Sequence, residues 1–213
     1  MDRIYNRIAG QSLERIAALS DGVFAIAMTL IVLDIRIAAP WQVHSERDLW
    51  LALVALGPRL LMYLVSFMTL GIFWVGQQTQ LNLFARSDRT LSWIHIAFLA
   101  TVTITPFSTM LLGQFITFRI ALAIYWLNIV ALGATLLWSW SYAMATGLGK
   151  PDVVDEATSR AMVRRIVVAQ VLYALGAALC AFSTYLAIAA IMAVQVGYAL
   201  GLNWGGHRTR APG

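Results

Sequence analysis

An aspartate, Asp21, stands inside the apolar run from Arg15 to Leu33, six residues after the arginine. A carboxylate there could bind or relay a cation or a proton, or hold neighbouring helices by hydrogen bonds. At the centre of a bilayer helix it costs about 2.5–3.5 kcal/mol on insertion scales, and less near an interface. A chain that keeps such a group gives it a partner or water. His95 is the one group in an apolar run that would change charge near physiological pH, so Arg15, Asp21 and His95 could together form a coupling-ion or proton relay. Arg15 lies off the helix face of Asp21, and Asp21 sits near the end of an unbroken run. Secondary transporters use broken helices with a site at the midplane, which disfavours the relay reading.

Other chemistry finds no support. His44, His95 and His207 fall in a loop, an apolar run and the tail, without metal-ligand spacing. There is no phosphate-binding glycine loop and no nucleophile elbow, so neither an enzyme nor a cofactor is expected. Cys180 is single, which excludes a disulfide. Val196-Gly197-Tyr198-Ala199 has the look of a carbonyl-lined potassium filter but lacks its flanking Thr and Gly and reads as helix.

The elements that must position these residues follow from composition. The chain is 60% hydrophobic and 12% charged, with mean hydropathy +0.74. Soluble domains carry about a quarter charged residues. The expected fold is all-α: a single domain, 1–213, of six transmembrane helices. Their expected bounds are about 16–35, 49–76, 91–112, 118–146, 166–183 and 184–202, with Pro58-Arg59 marking a kink or boundary and 147–159 the clearest linker. Arg3, Arg7, Arg15, Arg86, Arg89, Lys150, Arg160, Arg164, Arg165, Arg208 and Arg210 then share one side, against Arg36, Arg47, Arg59 and Arg119 on the other. The positive-inside rule places both termini in the cytoplasm and the chain in the cell membrane. A cleaved signal is disfavoured, because Asp21 interrupts the core and Pro40 follows the small pair Ala38-Ala39. The net charge of +5 is accounted for by topology, leaving no basic stripe for nucleic acid. Trp41, Trp50, Trp74, Trp93 and Trp204 fall near helix ends, as an aromatic belt does.

Within the first helix, Leu19, Gly22, Ile26, Leu30 and Leu33 fall within about 40° of one line. Thr29 lies about 60° from that line and Asp21 about 140° from it. An aliphatic stripe of this kind packs equally well on lipid, on other helices or around a pore. Spacing alone leaves those three open, including a scaffold that transports nothing.

The string from Arg15 through Leu19-Ser20-Asp21-Gly22-Val23-Phe24-Ala25-Ile26-Ala27-Met28-Thr29-Leu30-Ile31-Val32-Leu33-Asp34-Ile35 resembles the first helix of the prokaryotic transmembrane protein 175 family. These proteins are relatives of the lysosomal potassium channel, marked by Phe-Ser-Asp after an Arg. Ser66-Phe67, Gly71-Ile72-Phe73-Trp74, Pro106-Phe107 and Leu111-Leu112-Gly113 are weaker echoes. The resemblance implies a homotetramer in the bilayer with helix 1 lining a central potassium-permeable pore, and no carbonyl filter. It implies Ile26, Leu30 and Leu33 as the constriction, able to gate by dewetting, with Thr29 beside the narrowest layer. Ser20 and Asp21 would anchor helix 1 to its neighbours rather than touch ions, with Gln77 and His95 as polar partners. The chain departs from the family pattern: Leu19 replaces Phe, Gln77-Gln78 stand where a His is expected, and His95 where an Asn is expected. The anchoring network is therefore expected to be rewired.

Overall fold

A computed structural model describes residues 12–37 and 40–201. Arg3, Arg7, Ala38, Ala39, Leu202, Trp204, His207, Arg208 and Arg210 lie outside the described residues. The described α-helices are α1 (Leu13–Val32), α2 (Glu46–Ala55), α3 (Gly57–Leu83), α4 (Arg89–Gln114), α5 (Arg119–Ala145), α6 (Glu156–Ala178) and α7 (Thr184–Ala199). Short 3₁₀ turns occupy Pro40–Gln42 and Leu179–Ala181.

Side-chain caps explain most starts. The Ser12, Ser45, Asp88 and Asp155 side chains each accept a backbone N–H three residues on, satisfying donors that the first helical turn leaves open. At the other end of α1, Arg36 Nε donates to the Leu33 carbonyl at 2.7 Å, and Arg59 Nη1 donates to the Arg36 carbonyl at 2.6 Å. The first span is thus shifted from the expected 16–35 to Leu13–Val32.

Two further expectations need correction. One helix was expected over 49–76, but the chain breaks at Leu56, which closes α2 and opens α3. Pro58 sits in the first turn of α3, where its missing N–H costs nothing. α3 then runs on to Leu83, because Gln77, Gln80 and Leu81 are buried on the same face as Phe73 and Leu70. The fifth helix was expected from 166, and it begins ten residues earlier at Glu156, behind the Asp155 cap. Five described helices, α1 and α3 to α6, are long and apolar enough to cross a membrane. The sixteen residues of α7 rise about 24 Å, short of a bilayer core of about 30 Å.

α3, α4, α5, α6 and α7 close a ring of neighbours, and α1 docks in the cleft between α3 and α4. Leu13, Ile16 and Ala17 pack with Leu81, Phe84, Leu91 and Trp140 at one end. At the other end Gln114 Nε2 reaches Asp34 Oδ1 at 3.5 Å. α1 therefore runs parallel to α4 and antiparallel to α3. The main core, which includes Phe24, Ala27, Ile31, Phe73, Phe98, Val102 and Leu132, fills the ring and the cleft.

Candidate functional site

α1 has two faces of opposite character. Ser20, Phe24, Ala27 and Ile31, at four-, three- and four-residue spacing, are buried in the cleft. Phe24 meets Phe98 of α4 with ring centroids 5.9 Å apart. One turn earlier, Ser20 donates to the Ile16 carbonyl at 2.8 Å and accepts from Gln77 Nε2 of α3 at 2.7 Å. Asp21 Oδ1 accepts two donors from α3, Trp74 Nε1 and Gln78 Nε2, each at 2.8 Å. Trp74 and Gln78 are four residues apart, so one face of α3 presents both. Ser20 and Asp21 thus bind adjacent rows of the same helix, which fixes both the height and the rotation of α1.

The opposite face is uncovered. Ile26 is 61% exposed, Leu33 54% and Leu30 46%, with Leu19 and Thr29 also exposed. Thr29 turns its hydroxyl onto the Ile26 carbonyl at 2.8 Å, so its methyl rather than its hydrogen is free to face outward. The exposed row is aliphatic along its length.

Arg15, Asp21 and His95 are not brought together. Arg15 is exposed; its backbone N–H goes to the Ser12 cap, and its side chain reaches neither Asp21 nor His95. His95 is buried, with Nδ1 on the Leu91 carbonyl of its own helix at 2.9 Å and its ring edge-on to Phe84. Because a carbonyl only accepts, Nδ1 carries the proton, and Nε2 is left without a described partner. His44 lies in the loop before α2. Val196, Gly197, Tyr198 and Ala199 belong to α7 and are helical. Among the described residues no group of His, Cys, Asp and Glu could hold a metal ion.

The sequence reading missed a second polar layer. Thr109 donates to Ser66 at 2.7 Å, Ser66 donates to the Tyr125 hydroxyl at 3.3 Å, and that hydroxyl pairs with Thr69 at 2.9 Å. Gln195 Nε2 donates to Thr69 at 2.6 Å. One chain of bonds therefore ties α3, α4, α5 and α7, all through buried groups. A signal was available: Ser66, Thr69, Gln77 and Gln80 recur on one face of α3, an expensive pattern in a bilayer unless every member is paired. Trp74, expected in an aromatic belt and in a weak family echo, gives its indole N–H to Asp21.

A ring of long apolar helices, with polar side chains paired inward, defines a multi-pass membrane protein. The family model described as endosomal/lysosomal potassium channel TMEM175 matches residues 15–106. A potassium channel of Streptomyces collinus is 33% identical over 190 residues, covering 86% of this chain and 91% of that one. The chain belongs to the TMEM175 family, a family of cation channels rather than enzymes. The crystal structure of a lysosomal potassium-selective channel TMEM175 homologue from Chamaesiphon minutus superposes with a TM-score of 0.78 at 28% identity, covering 90% of this chain and 98% of that one. The mouse endosomal/lysosomal proton channel TMEM175 is 36% identical over 96 residues, 43% of this chain and 19% of its own length.

Proposed function

We propose that this protein is a potassium-permeable channel of the cell membrane, a homotetramer of six-helix subunits around an axis lined by α1. α7 counts as the sixth crossing, and both termini face the cytoplasm, as the arginine distribution requires. The observation that carries the reading is the division of α1 into an anchored face and an uncovered aliphatic face. Four copies about a closed axis would place Ile26, Leu30 and Leu33 in successive rings. A narrow apolar ring excludes water, and a small widening readmits it, so the neck is also the gate. Selection then rests on the cost of shedding water, which is lower for potassium than for sodium, without a carbonyl filter or a cofactor. Ser20, Asp21 and Gln77 hold the rotation of α1 that keeps this row on the axis. The name of the Streptomyces relative supports potassium as the ion.

The test is potassium flux into liposomes holding the purified protein, comparing wild type with Ile26→Ala and Ile26→Met. A large rise with Ala and a fall with Met are expected. Flux indifferent to both would remove α1 from the pore. The mouse relative's name supports a second reading, proton permeation through the same neck. A pH-sensitive dye inside potassium-free liposomes separates the two ions.

A further inference from the structure

α5 and α6 do not close along their whole length. Between them lies a groove of about 350 Å³, walled by Trp126, Ala134 and Leu137 on α5 and by Val167, Val171 and Ala174 on α6. The lining surface is almost wholly apolar. Gly133 and Gln170 also line it at mid-depth: a Cβ on Gly133 would collide with the Gln170 side chain, so the glycine lets Gln170 lie flat against the α5 backbone, where it donates to the Ile129 carbonyl at 3.3 Å. α6 is the least covered of the crossing helices, with 17% of its apolar window buried. It also stands across the ring from the cleft that holds α1, away from the proposed pore axis.

One end of this groove is basic. Arg164 precedes Val167 by three residues and Val171 by seven, so it continues the same helix row about 9 Å of rise beyond Gln170. Arg164 is exposed, and Arg160 lies one turn further on, exposed and paired with Glu156 at 3.0 Å. Trp138, 55% exposed, stands at the same end of α5. We propose that the groove binds one anionic phospholipid, with an acyl chain between α5 and α6 and the headgroup phosphate on Arg164. The complementarity is chemical at both ends: the walls offer hydrocarbon to hydrocarbon, and the rim offers a guanidinium to a phosphate. Arg165 is off this row and is engaged with the Tyr198 ring, 6.0 Å from its centroid, leaving Arg164 as the group that faces the headgroup.

The experiment reconstitutes the full-length protein in bilayers of equal phosphatidylglycerol and phosphatidylcholine and counts retained lipids by native mass spectrometry. Wild type is expected to retain phosphatidylglycerol preferentially. Arg164→Gln is expected to lower that preference about fivefold while still retaining lipid, since a basic residue near the surface contributes about 1 kcal/mol to anionic lipid binding. Ala134→Trp and, separately, Val167→Phe fill the groove and are expected to abolish retention of both lipids, so a folding failure in one leaves the other to decide. Equal retention of the two lipids by wild type, no change with Arg164→Gln, or unchanged retention in the filled variants would each overturn the proposal. A disulfide linking Val167→Cys copies in the bilayer would give the groove to a second copy of this chain and overturn it as well.

Discussion

Gln77 of α3 gives its amide N–H to Ser20 of α1 across 2.7 Å, and both side chains are fully buried. The other end of that amide, Oε1, has no described partner. Among the described residues, Ser20 is therefore the one group that satisfies any of the Gln77 side chain.

Ser20→Ala should destabilise the protein more than Gln77→Met. The first strands a complete buried amide, whereas the second replaces it with an apolar side chain of similar length and frees a serine still bonded to the Ile16 carbonyl. Hydrogen bonds between membrane helices average about 0.6 kcal/mol and reach about 1.7. The Ser20→Ala loss should lie toward the upper end, read as the midpoint of thermal unfolding in detergent. Equal losses would mean that the bond contributes nothing beyond packing.

Acid should fray the start of α6. Asp155, outside the crossing segments, accepts the Thr158 side-chain and backbone bonds that hold its carboxyl below the ordinary range. A depressed value means that the cap stabilises the folded chain above the unfolded carboxylate pKa and is lost as pH falls through the folded one. The hydrogen-exchange protection factor of the Thr158 amide, which divides out the intrinsic pH dependence of exchange, should fall as the pH drops below the pKa of a free aspartate toward the lower folded value. Asp155→Asn, which caps without titrating, should remove that pH dependence of the protection factor.

The long apolar helices and the opposed faces of α1 were legible because hydropathy and the 3.6-residue period survive in any partner context. Ser20, Phe24, Ala27 and Ile31 bury for the same reason that Ile26, Leu30 and Leu33 do not. What escaped was partnership across helices. Trp74 and Gln78 are four apart on α3, but nothing local to them says that Asp21 lies opposite. His95 is a polar candidate for Asp21 by its place on a neighbouring helix, and the structure instead turns it onto Leu91 and Phe84. The break at Leu56 was half legible, since Pro58 is compatible both with a kink and with the first turn of a new helix.

Thr69 should be the least replaceable member of the inner polar layer. It takes the Gln195 amide, shares a bond with Tyr125 and donates to the Val65 carbonyl at 2.9 Å. Thr69→Val keeps the shape and strands the Gln195 side chain, which should cost about 1–3 kcal/mol. Tyr125→Phe should cost less, because Ser66 and Thr69 retain other partners at Thr109 and Gln195. The double variant should be less destabilised than the sum of the two, since they share one bond. Strict additivity in unfolding midpoints would show that the two side chains act separately.

Asp21 separates the channel from a carboxylate-coupled transporter. Asp21→Asn removes the charge but keeps Oδ1, so Trp74 and Gln78 can still donate and α1 keeps its rotation. A transporter that loads its ion on the carboxylate would lose saturable flux in that variant. For a pore whose neck is Ile26, on the other face of the helix, flux should stay near wild type. Asp21→Ala takes the acceptor away from both donors and should loosen the same helix, lowering the unfolding midpoint and altering flux together. Flux abolished by Asn with the midpoint unchanged would mean that the carboxylate itself handles the ion, and the anchoring role assigned to Asp21 would have to be given up.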